Sequence, residues 1–259
     1  MIKWRIKFTF LSYMRLLIII FLFLNTYSFA YSNTIYYLTK IPNLKVHDLT
    51  SLNGIKYLKA EKSFKVGIVE NNVHCDVANE KDIENKFEII KQNFDRYQKD
   101  FLEKVNLKYI VLCQNLRVSN IKTAGVPNYK VKTLIIDIKS DERYFVRSLH
   151  HELFHMVDDS YKDLFSDEKW AQFNNPNFKY AKCSTCSNRL DLSLIKNTKG
   201  FLTEYSMSTA SEDMAEIFSF LMTDKENLSK TVLKDPILNN KVIFLKNEIT
   251  NIDNSFRFN

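Results

Sequence analysis

His150-His151-Glu152-Leu153-Phe154-His155 is the stretch whose reading decides the fold, because it contains the five-residue pattern HELFH. Two histidines four apart on a helix lie one turn above each other on one face, so both imidazoles can reach a single cation. Zinc is the usual occupant of such a pair. Glu152 follows His151 and sits about 100° around the helix. From there a carboxylate can reach a water on that cation without displacing it, which is where a general base has to be. The plainer alternative is a helix with two surface histidines and a glutamate.

The helix that would carry this pattern is expected to start at Ser140 or Asp141, both capping residues, and to run to about Asp159. Val146, Leu149, Leu153, Met156 and Val157 supply its buried face. Asp158 lies three residues past His155 and either braces a ligand or closes the last turn. Directly before the helix, Lys132 to Ile138 (KTLIIDI) reads as a strand, and Ala124 to Asn128 (AGVPN) as a turn. That strand is either an exposed edge that could pair with an extended peptide or an interior strand, since Leu134-Ile135-Ile136 is apolar on both faces. Further back, Lys108 to Leu112 and Ser63 to Val69 read as strands. Asn79 to Val105 reads as one long amphipathic helix with Phe87, Ile90, Phe94, Tyr97 and Phe101 along its face. Beyond the motif, helices are expected at about Ser211 to Met222 and Pro236 to Ile252. The element pattern is α+β, with a small mixed sheet and helices.

Two histidines leave a catalytic zinc site one protein ligand short. The extended form HExxHxxGxxH is absent, because Asp158 stands where that form has glycine and Tyr161 where it has histidine. Glu212 and Glu216, in SEDMAEIF, are again four apart on one helix face. Spacing alone does not choose between them, and a solvated face of an amphipathic helix is the competing reading. A carboxylate one turn beyond the ligand could instead orient a ligating histidine by accepting from its other ring N–H.

HELFHMVDD, followed by Tyr205, then Glu212 seven residues on and Glu216-Ile217-Phe218, resembles the lethal-factor-type gluzincin metalloproteases. That family includes the catalytic domain of anthrax lethal factor and secreted Pro-Pro endopeptidases. The resemblance runs over roughly Thr133 to Thr223. It implies a zincin-like fold, a single zinc ion bound by His151, His155 and Glu212, Glu152 as base, and Tyr205 stabilising the oxyanion. Glu216 is then left to brace His151. Among thirteen tyrosines, only the spacing to Glu212 singles out Tyr205. The sequence departs from the family in the long segment between His155 and Glu212, with its Cys183 and Cys186, and in the N-terminal half. Protein or peptide is the implied substrate. A zinc hydrolase of a non-peptide amide and a catalytically silent binding protein are the rival readings, and the intact Glu152 argues against silence.

The bulk composition, 45% hydrophobic and 26% charged over 259 residues, fits one globular domain. Residues 1–30 read as an export signal: a basic start, the apolar run Leu16 to Leu24, then Ser28-Phe29-Ala30 before a cleavage point. Retained, the same segment would be an anchor; cleaved, it leaves no stable membrane association. Its four basic residues, Lys3, Arg5, Lys7 and Arg15, account for the fall from a formal charge of +7 to +3. A charge of that size, without an arginine stripe interleaved with aromatics, gives no support for nucleic acid. Residues 31–259 are expected to form one domain, with an α/β part at 31–139 and a helical part at 140–259. The product is expected to be secreted or periplasmic, and monomeric. In an exported chain, Cys183 and Cys186 can staple their own loop, which pairs Cys75 with Cys113; a four-cysteine structural zinc site is the alternative.

Overall fold

Strand β5 (Tyr109–Val118) is the spine of the molecule, and its two halves serve different neighbours. The computed structural model describes residues 35–67, 72–195 and 198–258, so the expected signal segment lies outside the described residues. A helical turn at residues 35–39 (α1) leads into β1 (Leu44–Asp48) and β2 (Lys56–Ala60), neither of which the sequence pattern announces. The first half of β5 pairs in parallel with β2 on one side and with β8 (Thr133–Asp137) on the other. Its second half pairs antiparallel with β4 (Val73–Asp76) and the short β6 (Ile121–Lys122). β3 (Phe64–Val66) and β1 close one end of the sheet by antiparallel pairing with β4 and β2, and β7 (Gly125–Asn128) closes the other on β8.

Alternation along β5 and β8 divides the apolar side chains between two layers, as successive residues of a strand must. Ile110, Leu112, Leu134 and Ile136 enter the larger core, which also takes in Phe154, Phe218, Leu245 and the aromatic residues near Phe94. Tyr109, Val111, Cys113 and Ile135 point to the opposite face, with Leu58, Phe64 and Cys75. β8 is therefore an interior strand with every residue buried, and it is not the exposed edge that could hold a peptide. The edge is β7, whose Gly-Val-Pro-Asn falls within the stretch that reads as a turn. Proline is tolerated there because an edge strand has one side on which a missing N–H breaks no ladder bond.

The segment expected to be one helix from Asn79 to Val105 is two, α2 (Glu80–Phe94) and α3 (Lys99–Lys104). Tyr97 bridges the break and keeps the aromatic face continuous, stacking on Phe101 at 5.8 Å between ring centroids. Helix α4 (Phe145–Ser160) starts later than Ser140, because Asp141 caps a turn instead, accepting from the Arg143 N–H at 3.0 Å. After α5 (Asp167–Ala171) and an irregular stretch come α6 (Ala210–Thr223), α7 (Lys225–Val232) and α8 (Pro236–Ile252). Thr209 caps α6 through the Glu212 N–H, and Asp235 with Pro236 starts α8. α4 packs on α6, the contact that brings the histidine pair against the carboxylate pair. No helix among the described residues is long and apolar enough to cross a membrane. Cys75 with Cys113, and Cys183 with Cys186, lie within disulfide distance.

Candidate metal centre

The residues on α4 face α6 because its apolar stripe fixes the rotation of the helix: Leu149, Leu153, Met156 and Val157 are all buried. His151 and His155 then project to one spot with their rings 4.9 Å apart. Glu212 on α6 meets them there. Its Oε2 is 2.9 Å from His151 Nε2 and 3.3 Å from His155 Nε2, and the two ring nitrogens are 3.2 Å apart. A tetrahedral ion with zinc–nitrogen distances of 2.0–2.1 Å separates its ligand atoms by about 3.3 Å, so this donor set has the size and the chemistry for zinc.

The other ring nitrogens are tied down from α6. His151 Nδ1 lies 3.0 Å from Glu216 Oε1, and Thr203 donates to the second oxygen of Glu216 at 2.9 Å. A carboxylate acceptor keeps the proton on Nδ1 and presents the Nε2 lone pair. His155 Nδ1 lies 3.2 Å from Ser211 Oγ, which donates to Asp158 at 2.6 Å. Asp158 thus reaches His155 through a serine that no spacing or motif singles out, and Lys162 lies 3.1 Å from the same Asp158 oxygen. His150 takes no part: it is buried facing away, 2.5 Å from the Tyr97 hydroxyl and 3.0 Å from Asn93. Burial pushes its pKa down to about 3.

Electrostatically the spot favours positive charge. Burial alone would lower the His151 pKa, yet its bonds to Glu212 and Glu216 carry it up to about 10. Burial would raise Glu212, but His155 and His151 hold it well below the usual carboxylate range. Glu152 is pushed up by burial, against the pull of both histidines. It accepts a hydrogen bond from the Gly125 backbone, and a Cβ on Gly125 would come within 2.7 Å of the Glu152 side chain. Only glycine lets β7 approach the glutamate this closely.

Tyr205 stands over the site on a 3-10 turn (Tyr205–Met207), its ring 5.8 Å from that of His151. Its hydroxyl meets Glu212 and Ser184, and burial first, then Glu212 and Glu152, push its pKa up. Ser184 and Thr185 come from the loop closed by Cys183 and Cys186. These groups line a cleft of about 610 Å³, with β6 and β7 on one side and Leu190 and Leu192 on the other. Asp137 N–H bonds to Ala124 O, so by ladder alternation Gly125 and Pro127 turn their backbone groups away from β8. Gly125 N–H is taken by Glu152 and its carbonyl by the Thr123 hydroxyl at 3.0 Å.

The next residue of α6, Asp213, anchors that helix in a way the sequence reading missed. It is fully buried and accepts from Trp170 Nε1 at 2.8 Å, Tyr180 at 2.6 Å and Lys241 Nζ at 2.6 Å. Lys241, equally buried on α8, also donates to Gly200 O at 2.7 Å. A lysine on the apolar stripe of α8, between Leu238 and Leu245, was the available signal.

Two histidines and a glutamate on packed helices thus form a group that could hold a metal ion, and sequence comparison places the chain in a family. Residues 113–250 match the family described as "Putative zinc-binding metallo-peptidase", and the match covers more than half of the chain. The chain belongs to that family of zinc-binding metallopeptidases. A solved structure described as a "putative zinc-binding metallo-peptidase" from Bacteroides caccae ATCC 43185 is similar over 77% of this chain and 80% of its own. Identity is 19% and the TM-score 0.47. No curated protein matches the sequence.

Proposed function

We propose that the protein is an exported endopeptidase of the lethal-factor type. In this reading one zinc ion is held by His151, His155 and Glu212, and Glu152 is the general base. The observation that carries the reading is the convergence of three donor atoms, each within 4.8 Å of the others, beside a buried carboxylate that is not one of them. Zinc bound there would supply Lewis acidity and bring the pKa of a water towards neutrality. Glu152 takes the proton of the attacking water and passes it to the leaving amine. A raised pKa suits that task, because the group has to hold the proton between the two steps. Tyr205 keeps its own proton for the same electrostatic reason and can donate to the developing oxyanion, a contribution of about 2.7–4 kcal/mol where such donors are removed. Glu216, and Asp158 through Ser211, hold the imidazoles in the tautomer that binds metal.

Export is supported by the two cysteine pairs, since disulfides persist in oxidising compartments. The substrate is a protein or peptide strand lying in the cleft between β7 and the segment around Leu192. Incubating zinc-loaded and chelator-treated protein with a peptide library tests the activity. Zinc-dependent internal cleavage that disappears in Glu152→Ala is expected; a fully zinc-loaded protein that cuts no peptide contradicts it.

A further inference from the structure

Arg147 lies one turn before His151 on α4, lines the same cleft, and has a side chain only 13% exposed. Its guanidinium is clamped over two rings, 4.9 Å from the Tyr144 centroid and 4.5 Å from that of Phe220. One nitrogen, Nη2, makes both of its polar contacts among the described residues: it donates to Leu192 O at 2.6 Å and stands 3.7 Å from Glu216 Oε2. The second of these is beyond hydrogen-bond distance, and the Glu216 oxygens are already taken by His151 and Thr203. Nη1 and Nε have no partner among the described residues, and neither is among the buried polar atoms left unsatisfied. Arg147 thus brings to the cleft a fixed cation held by stacking, one carbonyl and a 3.7 Å ion pair with Glu216. Its polar contacts among the described residues all run through Nη2, so that Nη1 and Nε remain to donate.

Lys122 also lines the cleft, but it is an exposed residue of the short β6, whereas Arg147 is held in place one turn before His151. Ile121 and Leu190 are exposed apolar side chains at the rim, and the three carboxylates of the centre are engaged with histidines or with the Gly125 backbone. We infer that Arg147 is a specificity-determining residue that binds a carboxylate of the substrate beside the scissile bond. The carboxylate is either an acidic side chain or the free α-carboxylate of a peptide ending in the cleft. Charge-assisted hydrogen bonds made in a partly desolvated cleft are worth enough for a preference on the order of tenfold to a hundredfold. The inference rests on the peptidase reading above and names the substrate class for it.

The test uses synthetic peptide pools that differ only in carrying Glu or Gln at one fixed position, each made with a free and with an amidated C-terminus. Cleavage rates are read by mass spectrometry for zinc-loaded wild type, Arg147→Gln and Arg147→Lys. The expected result is a Glu-over-Gln preference at one position flanking the cut, or a free-over-amidated preference. That ratio should fall to about one in Arg147→Gln and be partly restored in Arg147→Lys, at least tenfold in the first step. The two arms tell a side chain from a chain end. No preference in wild type, or a preference that survives in Arg147→Gln, overturns the assignment. So does an equal loss on all pools together with weakened zinc binding, which would make Arg147 a positioning residue acting through Glu216. If wild type cuts no pool, the peptidase reading fails separately. The same ratios are then read from retention of the pools on immobilised zinc-loaded protein, and equal retention of Glu and Gln pools overturns the inference.

Discussion

Helices α4 and α6 each give the centre two side chains one turn apart, yet they are held in place by different forces. α4 sits on the sheet through apolar contacts, with Leu149, Leu153, Phe154, Met156 and Val157 all buried. α6 is apolar too, but directly beside Glu212 it is fixed by the polar knot of Asp213, Lys241, Trp170 and Tyr180. The imidazoles come from the first helix, and their orienting groups, Glu216 and Ser211, from the second. The difference teaches that α4 determines where the imidazoles point and α6 determines whether they stay in register. Substitutions on the two helices should therefore fail in different ways.

Among substitutions that leave the three metal donors in place, the largest effect should come from α4. If Glu152 is the base and not a ligand, as proposed, Glu152→Ala should lower the rate by about 10²–10⁴-fold while keeping stoichiometric zinc; metal analysis beside rate measurement checks both halves. Next is the anchor of α6. Burial pushes the pKa of Asp213 up and that of Lys241 down, and their contact opposes both shifts. Lys241→Met strands a buried carboxylate and should cost about 3–5 kcal/mol in denaturant unfolding. A cost below about 1 kcal/mol would mean that α6 is held by its apolar face alone, and the contrast between the helices would collapse. Ser211→Ala should be the mildest, a few-fold loss of zinc affinity on the scale of one neutral hydrogen bond of about 0.5–1.5 kcal/mol. An effect as large as that of Glu216→Ala would show that the two histidine braces are equivalent.

The same contrast explains what was legible in the chain. HELFH and the Glu212–Glu216 pair declare themselves because helical spacing is local, and Pro236–Ile252 reads cleanly from its cap and stripe. β1 and β2 escaped because LKVHD and KYLKA mix charged with apolar residues and show no clean alternation. The break between α2 and α3 was hidden because Phe94, Tyr97 and Phe101 keep one buried face across it. Gly125 and Pro127 read as turn residues for sound local reasons, and only the closeness of Glu152 and the open side of β7 explain them. Ser211 and Asp213 depend on which elements meet in space, which no spacing within one helix reveals. Arg147 did leave a trace, four residues before His151 on the ligand-bearing face.

The most direct measurement is zinc content and affinity in purified Glu212→Ala and Glu216→Ala. With Glu212 in contact with the ion and Glu216 behind His151, Glu212→Ala should lose stoichiometric zinc and activity together. Glu216→Ala should still bind one ion, with affinity or activity lowered by about 10–100-fold. Zinc retained in Glu212→Ala and lost in Glu216→Ala would contradict the assignment and exchange the roles of the two carboxylates.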